Sequence, residues 1–424
     1  MTPEIKQRIE QIRRGEVPEG YVKKRKVVIP QQWGLPQIKD IASISSGSTP
    51  NRNNSEYWNG NIAWVTTGEL SSGHVNHTSE LITVKAVKET KMRIYPQGTL
   101  LMAMYGQGKT RGTVAILEID AAVNQACAAI TVKDGKSKFL FYQLKNSYQD
   151  IRKLSNTGNQ ENLNADIIKT YQVPWAPDEE QERISTILTT QDKVIELKEK
   201  RLAEKQRQKK YLMQQLLTGK KRLPGFSEEW KIKPLKKLTE KQKKKNHGFQ
   251  YRLVLSNSAQ HGIVSQNQEF DKEIANEERI DGYYVVIPGA FVYNPRISVT
   301  APCGPINVNE TGETGIMSPL YTMFTISSPQ ISQDFLKYYF QSSCWYKYVK
   351  EVANYGARHD RISISDGDFF DMPIPLPTKE EQSYIAEVLS TADREIELLQ
   401  QDIEQEKQKK KALMQLLLTG IVRV

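Results

Sequence analysis

Cysteine, long apolar runs and an apolar amino-terminal segment are all scarce or missing in this sequence of 424 residues. Its three cysteines, Cys127, Cys303 and Cys344, are far apart, so they form neither a CxxC motif nor a disulfide framework and favour a reducing cytoplasm. No apolar run approaches the ~20 residues of a membrane span, and the N-terminus MTPEIKQRIEQIRRGE has no signal core. The sequence therefore predicts a cytoplasmic protein that does not enter a membrane.

Motifs for a catalytic or metal centre are missing as well. The segment YGQGKTRG (105–112) departs from the phosphate-loop pattern, because the position five before Gly108 is Ala103 and no helix pattern follows. His74 and His77 are a close pair without an acid or cysteine nearby in the sequence to complete a metal set. Cys127 lies in the apolar stretch AVNQACAAITV, which favours a buried structural thiol over a nucleophile. We predict no catalytic residue, metal site or cofactor in this chain.

What the sequence does have is positive charge. Lysines and arginines number 59 against 49 acidic residues, which gives a formal net charge of +10. Such a surface attracts phosphate over long distances, so the composition favours a nucleic-acid partner. The run LKKLTEKQKKKN (235–246) would track phosphates or, alternatively, form a solvated and partly flexible loop.

The sequence also contains a long internal repeat. Segments 174–223 and 375–424 align without a gap, and roughly 21 of about 50 positions are identical. Each copy begins with proline followed by Glu-Glu-Gln, which is typical of a helix N-terminus, and each ends in Thr-Gly, which is a common helix stop. A shorter match, QIRRGEVPEGY (11–21) with QLLTGKKRLPGF (215–226), indicates a truncated third copy at the N-terminus.

Each copy predicts one helix of ~38 residues, which would be ~57 Å long. A stripe of mostly apolar residues seven positions apart, on a helix of that length, favours pairing with a partner helix. The alternative is two unrelated surface helices, each packed on its own domain. The predicted seam between the two helices consists of Leu188, Ile195, Leu202 and Leu216 in the first copy and Leu389, Ile396, Ile403 and Leu417 in the second.

The segments between the helices, about 27–174 and 224–375, carry matching landmarks in the same order. YPQGTLLMAM parallels IPGAFVYNP, RGTVAI parallels CGPINV, and FLFYQL (139–144) parallels FLKYYF (335–340). Short apolar runs separated by Gly, Pro and Asn favour strands in a mixed or mainly β domain. A repeated scaffold with different loops is how one fold acquires two specificities.

Four of these loops carry side chains suited to reading DNA bases. Arginine and lysine pair with guanine edges, asparagine and glutamine pair with adenine edges, and glycine permits close backbone approach. For any single loop, a solvated turn is the alternative. The candidate DNA-binding residues are Tyr105, Gln107, Lys109 and Arg111 in YGQGKTRG, Asn159, Gln160, Asn162 and Asn164 in NTGNQENLN, Asn294 and Arg296 in VYNPRISV, and Arg358, His359 and Arg361 in NYGARHDRIS.

Short peptides typical of one family occur in order around the ungapped repeat, and the resemblance extends over essentially the whole chain. They are GEVPEGY (15–21), SGSTPNR (46–52), NQACAAI (124–130), TGNQENLNADIIKTYQVPWAPDEEQ (157–181), MSPLYTMF (317–324), GARHDRISIS (356–365) and the two LLTG helix ends. Together with the repeat, they resemble the specificity subunit of type I restriction–modification systems.

This resemblance implies an α+β fold in which two similar target-recognition domains, mixed α/β with a β-rich core, are separated by two long antiparallel helices in a pseudo-two-fold repeat. Each domain would read one half of an interrupted double-stranded DNA sequence, and the chain itself would be non-catalytic. The implied partners are two modification subunits, which methylate adenine with S-adenosylmethionine, and restriction subunits, which use ATP and magnesium.

The predicted organisation has five parts. They are an N-terminal helical arm and linker (1–26), the first recognition domain (27–175), the central long helix and linker (176–223), the second recognition domain (224–376) and the distal long helix (377–424).

Two other function classes stay open. One is a non-enzymatic coiled-coil assembly protein whose two domains bind proteins. The other is an enzyme with an unrecognised active site.

The helix pair is further expected to act as a ruler between the two half-sites and as a docking surface for two copies of one partner. Adding four residues to the central helix, for instance after Glu204, would lengthen it by ~6 Å, just over one helical turn. The recognised DNA would then gain one or two base pairs of spacer, because half-site separation follows the spacing of the protein.

Overall fold

The structure is a computed structural model that describes residues 2–106, 108–133, 135–155, 162–265, 277–354 and 360–424. The chain divides into two compact units, the first formed by Met1–Lys198 and Asp402–Val424 and the second by Glu199–Gln401. Both divisions fall inside long helices, so each unit comprises one globular segment and half of each long helix. The predicted domain boundaries at the helix ends stay predictions.

The first unit is built on a five-stranded sheet in the order β3-β10-β7-β8-β5, beside a three-stranded sheet β6-β4-β9 and a hairpin β1-β2. In the five-stranded sheet only the β5–β8 pair is parallel. The strands are β1 (Tyr21–Lys24), β2 (Val27–Pro30), β3 (Ala42–Ser46), β4 (Trp58–Val65), β5 (His74–Val75), β6 (Glu80–Ile82), β7 (Leu100–Ala103), β8 (Val114–Leu117), β9 (Ala121–Val123) and β10 (Cys127–Val132). The helices are α1 (Pro3–Arg13), α2 (Ile38–Ile41), α3 (Val84–Thr90), α4 (Ser137–Asn146), α5 (Tyr148–Lys153), α6 (Ala165–Thr170) and α7 (Asp178–Leu216), with 3-10 turns at Ser55–Tyr57 and Thr67–Ser72.

The central strands of this sheet are apolar at every position because both of their faces are covered. Side chains alternate along a strand, and here the alternate residues enter two different cores. Leu100 and Met102 of β7 pack with α4 and the long helices, whereas Leu101 and Ala103 pack on the opposite face. The uninterrupted apolar run LLMA is therefore a doubly buried strand.

The second unit repeats the same four strands, because its sheet has the order β12-β19-β16-β17, which matches β3-β10-β7-β8. All pairs in this sheet are antiparallel. The strands are β11 (Lys231–Pro234), β12 (Thr239–Lys241), β13 (Leu255–Ser258), β14 (Gly262–Ser265), β15 (Tyr284–Val286), β16 (Phe291–Tyr293), β17 (Ile306–Val308), β18 (Gly315–Met317), β19 (Thr322–Ile326) and β20 (Pro373–Leu376). The helices are α8 (Gln333–Gln341), α9 (Tyr346–Val352), α10 (Asp366–Phe370) and α11 (Lys379–Leu417), with 3-10 turns at Leu235–Lys237 and Glu277–Gly282.

One sequence-based expectation about these segments was wrong. The runs FLFYQL (139–144) and FLKYYF (335–340) lie in α4 and α8 and are not strands. All six residues of the first run are buried, because the sheet covers one side of α4 and the long helices cover the other. A helix that is buried all round shows no 3.6-residue periodicity, so a short apolar run of this kind reads equally well as a strand.

The two long helices, α7 and α11, have 39 residues each, and within each unit their halves pack antiparallel. In the first unit Lys198 donates to Asp402 at 2.8 Å, and Asp192 pairs with Lys410 further towards the α7 N-terminus. In the second unit Lys205 donates to Glu395 at 2.6 Å. Residue numbers rise along α7 as they fall along α11, which confirms the predicted antiparallel helices.

The seam is apolar near the ends of the helices and charged in the middle. Leu188 and Leu417 are buried in the core of the first unit, and Leu216 and Leu389 are buried in the core of the second. Ile195 and Ile403 are also buried, whereas Leu202 and Ile396 are half-buried. In the charged middle, hydrogen bonds from Lys198 and Gln191 lower the pKa of Glu406 to about 2.

Each unit fastens a long helix to its globular segment by the same buried contact. In the first unit Trp33 Nε1 donates to Glu180 at 2.9 Å, and Arg423 also binds that carboxylate. In the second unit Trp230 Nε1 donates to Glu381 at 2.9 Å, and Arg222 takes the place of Arg423. Both acids and both arginines are 201 positions apart, so the contact follows the sequence repeat.

The N-terminal arm lies against the end of α11. Tyr21 Oη donates to the carbonyl oxygen of Gly420 at 2.7 Å, and Arg8 donates to that of Ile421 at 2.5 Å. Gly15, which follows α1, has a φ of +81°, close to the +68° and +72° of the glycines after α7 and α11. The N-terminal arm and the segment after α11 therefore contact each other in the first unit. No helix in the described part of the chain is long and apolar enough to cross a membrane.

Candidate nucleic-acid interface

In each unit, two of the predicted DNA-reading loops come together at the end of the same central strand. In the first unit, the Met104 carbonyl that follows β7 accepts a hydrogen bond from Leu163 N at 2.9 Å. In the second unit, the Pro295 carbonyl that follows β16 accepts one from Ile362 N at 3.0 Å. Because β7 and β16 occupy the same place in the two sheets, the two units present equivalent pairs of loops.

The first of these loops, YGQGKTRG, is held in place by two side chains of α5. Tyr148 Oη donates to the Lys109 carbonyl at 2.7 Å, and Arg152 donates to the carbonyls of Gly108 and Arg111 at 2.7 and 2.8 Å. These contacts leave the Tyr105 and Lys109 side chains exposed. The sequence reasoning missed Tyr148 and Arg152, although their spacing of four on a helix places them on one face.

Each of the other described candidates in the first unit is buried, half-buried or already hydrogen-bonded within the chain. Arg111 is only 7% exposed, so its guanidinium would reach a base only if the loop opened. The side chain of Asn164 caps α6 by accepting from Ile167 N at 2.8 Å, and Asn162 is half-buried. Their proposed contacts with DNA stay predictions. Gln107, Asn159 and Gln160 lie outside the described residues.

In the second unit, Arg296 and Arg361 lie side by side. Their backbones form an antiparallel bridge, and both guanidinium groups lie near Asp360, at 3.5 and 3.8 Å. One acid between two arginines leaves a net positive charge, and Arg296 is well exposed. Asn294 shapes this loop, because its amide donates to the Asn257 carbonyl and its oxygen accepts from Arg296 N, both at 3.0 Å. Arg358 and His359 lie outside the described residues.

The lysine run after β12 is anchored to the second unit. Val285 N of β15 donates to the Lys244 carbonyl at 2.8 Å. Asn246, which is 1% exposed, exchanges hydrogen bonds with the Tyr251 backbone at 2.8 and 2.9 Å. Lys243, Lys244 and Lys245 are exposed and form no ion pair with a described residue. Residues 243–246 therefore present three exposed ammonium groups on a backbone that is hydrogen-bonded to the second unit, and their contact with phosphates stays a prediction.

Cys127, His74 and His77 contact other protein groups and do not form a reactive centre in the described part of the chain. Cys127 is buried, and burial raises the pKa of its thiol to about 12, which leaves it protonated and unreactive. His74 pairs with Glu118 at 2.8 Å, an acid distant in the sequence, and His77 contacts Asn76. Among the described residues, no group of three His, Cys, Asp or Glu side chains has the geometry to hold a metal ion.

Comparison with known proteins gives a consistent result. The family model for the type I restriction modification DNA specificity domain matches residues 30–206 and again 227–408. The putative type I restriction enzyme MjaX specificity subunit of Methanocaldococcus jannaschii is 24% identical over 93% of this chain and 95% of its own. The MjaIX specificity subunit of the same organism is 34% identical over a shorter stretch, 41% of this chain and 40% of its own.

Solved structures show the same fold. The S subunit of a type I restriction–modification system from M. genitalium aligns over 94% of this chain and 98% of its own, with a TM-score of 0.52 and 12% identity. A chain from a structural study of complex assembly and conformational transition of the type I R-M system aligns over 93% of this chain and 99% of its own, with a TM-score of 0.59 and 15% identity. At these identities the likeness concerns the fold.

Proposed function

Because the chain belongs to the type I restriction–modification DNA specificity family, we propose that it is the DNA-reading subunit of such a complex. Each recognition segment reads one half of a bipartite double-stranded target, and the helix pair sets the spacer between the halves. The chain itself catalyses no reaction. Modification subunits would supply S-adenosylmethionine-dependent adenine methylation, and restriction subunits would supply ATP- and magnesium-dependent cleavage.

The observation that carries this proposal is the equivalence of the loops after β7 and β16. One scaffold presents two loops at the same strand end in both units, but the side chains on the loops differ. The first unit exposes Tyr105 and Lys109, and the second exposes Arg296 beside Arg361. Base-edge contacts specify sequence, while lysines such as Lys243–Lys245 contribute phosphate attraction that is the same for every sequence. Two different sequences would therefore be read by two copies of one fold.

The proposal is tested by sequencing methyladenine in cells that express the chain with a modification subunit. We expect one bipartite motif, absent when either protein is omitted. Arg296→Ala should relax a single base pair in one half of that motif, with a loss of discrimination of about 1–3 kcal/mol, because one guanidinium pairs with one base edge. Lys231→Ala, an exposed cation on β11, is the matched control and should leave the motif unchanged.

An Arg296→Ala complex with an unaltered motif would contradict the role of this loop. A chain that methylates or cuts DNA alone would indicate an enzyme. A chain that forms complexes but directs no methylation to any sequence would instead favour the coiled-coil assembly protein.

The repeated long helices also offer a surface for two copies of one partner. Among the positions that are identical in both copies, Leu197 and Leu398, 201 positions apart, are 53% and 52% exposed, whereas the identical leucines Leu188 and Leu389 are buried. Glu196 and Glu397 beside them are also identical and exposed. Since a large apolar side chain is exposed at the same position in both copies, we infer that these two faces dock the modification subunits.

Replacing one of these leucines by glutamate should remove one of two docked modification subunits. The loss is expected to be about 2 kcal/mol or more, roughly thirtyfold in affinity, because a charge replaces a central apolar contact. Mass photometry should show the complex fall from two modification subunits to one in Leu197→Glu and to none in the double variant with Leu398→Glu. Leu320→Glu, at an exposed loop leucine outside the repeat, is the control. An unchanged stoichiometry in the double variant would refute the docking surface.

A further inference from the structure

A polar cluster joins the recognition segment of the first unit to both long helices. Tyr142 of α4 donates its hydroxyl to Asp192 of α7 at 2.8 Å. Lys410 of α11 pairs with the other oxygen of Asp192, and its ammonium lies 5.6 Å from the centre of the Tyr142 ring. Tyr142 and Lys410 are both buried. Three elements, α4, α7 and α11, are thus connected at one point.

The second unit contains the same cluster with the two long helices exchanged. Tyr338 of α8 donates to Asp393 of α11 at 3.0 Å, and Lys209 of α7 pairs with the other oxygen of Asp393. The Lys209 ammonium lies 5.6 Å from the centre of the Tyr338 ring. The aspartates are 201 positions apart, as are the lysines, so both Tyr–Asp–Lys clusters follow the repeat. Burial raises the pKa of both tyrosines, which keeps their hydroxyls protonated as donors.

Stability alone is a weak reason for two charged groups at these positions. Removing an ammonium and a carboxylate from water costs about as much as their attraction returns, and an apolar contact often serves as well. The neighbouring stripe positions Leu188 and Leu389 show that the seam accepts leucine here. A hydrogen-bonded ion pair forms only when its two residues are aligned in one geometry. Buried polar pairs are known to fix the register of paired helices in this way.

An apolar stripe cannot fix the register of two helices by itself. Leucine and isoleucine recur every seven residues, so sliding one helix by seven positions brings apolar residues together again. The charged middle of the seam opposes such sliding, but its pairs, Lys198 with Glu406 and Lys205 with Glu395, contact only the two long helices. The Tyr–Asp–Lys clusters also contact α4 and α8, and α4 and α8 belong to the segments that carry the DNA-reading loops.

We propose that the two Tyr–Asp–Lys clusters fix the rotation of each recognition segment on its half of the helix pair and thereby restrict the complex to one spacer length. This inference rests on the proposed function. The residues act as positioning residues, since they lie on the helix side of the sheet and read no base. Loss of a cluster should leave both half-sites readable while allowing the segment to rotate, so DNA with one base pair more or fewer between the half-sites becomes a substrate.

The test uses the complete complex with modification subunits and a plasmid library in which the two half-sites are separated by a range of spacer lengths. The readout is the ratio of methylation at each spacer to methylation at the preferred spacer. Tyr142→Phe and Tyr338→Phe each remove one hydroxyl and its bond to a carboxylate. We expect the ratio at neighbouring spacers to rise about tenfold, because a hydrogen bond to a charged group is lost. Tyr211→Phe, on the exposed surface of α7, makes the same chemical change and should leave the ratio unaltered.

A charge exchange provides the second measurement. Asp393→Lys with Lys209→Asp restores an ion pair in the reversed sense, whereas Asp393→Lys alone places two ammonium groups together. The exchange is made in the second unit because a further cation, Lys145, lies beside Lys410 in the first. Because the Tyr338 hydroxyl oxygen can accept a hydrogen bond from the ammonium introduced at position 393, the double variant keeps a link to α8 and should recover the narrow spacer preference that the single variant loses. If a Tyr→Phe chain fails to fold, this comparison still tests whether the clusters restrict the spacer length.

Each outcome bears on the inference. Broader spacer use with unchanged half-sites supports it, and so does recovery in the double variant. Equal loss of methylation at every spacer, with an unchanged ratio, would show that the clusters serve only stability and would overturn it. If the unaltered complex methylates no bipartite motif at all, the proposed function fails, which is a different result.

Discussion

Replacing residues 27–174 by the equivalent segment of another family member is expected to change one half of the methylated motif and leave the other half intact. The first recognition segment has its own sheet, a core on one face of that sheet that belongs to the segment alone, and a core on the other face that it shares with the long helices of the same unit. Its DNA-reading loops lie at the end of β7, within the same unit. Base contacts in one half-site therefore do not depend on the loops after β16. The measurement is sequencing of methyladenine in cells carrying the chimaera and the modification subunit.

The structure says which contacts the transferred segment must keep. Trp33 has to meet Glu180, and Tyr142 has to meet Asp192, because these bonds attach the segment to the retained helices. A donor segment with tryptophan and tyrosine at these two positions is the matched choice, and a chimaera carrying Trp33→Phe shows the cost of losing one attachment. A change in both halves of the motif would contradict independent reading by the two units.

Lengthening both long helices by four residues is expected to keep the two half-sites and to add one or two base pairs between them. Four residues add ~6 Å and ~400° of helical rotation, which is close to a full turn, and ~6 Å corresponds to about two base pairs of DNA. The structure shows that a single insertion, after Glu204 in α7 only, would misalign the two helices. That insertion alone would shift the Lys205–Glu395 pair out of register while leaving the Lys198–Asp402 pair in place.

The insertions therefore belong after Arg201 in α7 and after Leu399 in α11, between these two ion pairs. Methylation of a library with variable spacers gives the result directly. Two-residue insertions at the same points are the control, since a rotation of ~200° turns each attached segment away from its half-site and should abolish methylation. If the four-residue variants methylate the original motif with its original spacer, the helices do not set the spacer.

The sequence by itself determined the repeat and much of what the repeat implies. An ungapped alignment identifies two helices of equal length, and the landmarks between them identify equivalent strands, since β7 corresponds to β16 and β8 to β17. The peptides along the chain also indicated the family that the comparisons show. These features can be predicted from the sequence because helix stops, apolar stripes and strand runs are local patterns. In a local pattern, the residues that determine the structure lie close together along the chain.

Tertiary structure alone decided the rest. Helix α4 looked like a strand, because a helix covered on every side has no polar face to show its period, and the run in α8 looked similar because five of its six residues are buried. Tyr142, Asp192 and Lys410 give no sequence signal as a group, since 50 positions separate the first two and 218 the last two. The burial of Arg111, a predicted DNA contact, was also not visible in the sequence. A side chain's exposure and its long-range partners follow from how elements pack, and no local pattern records that packing.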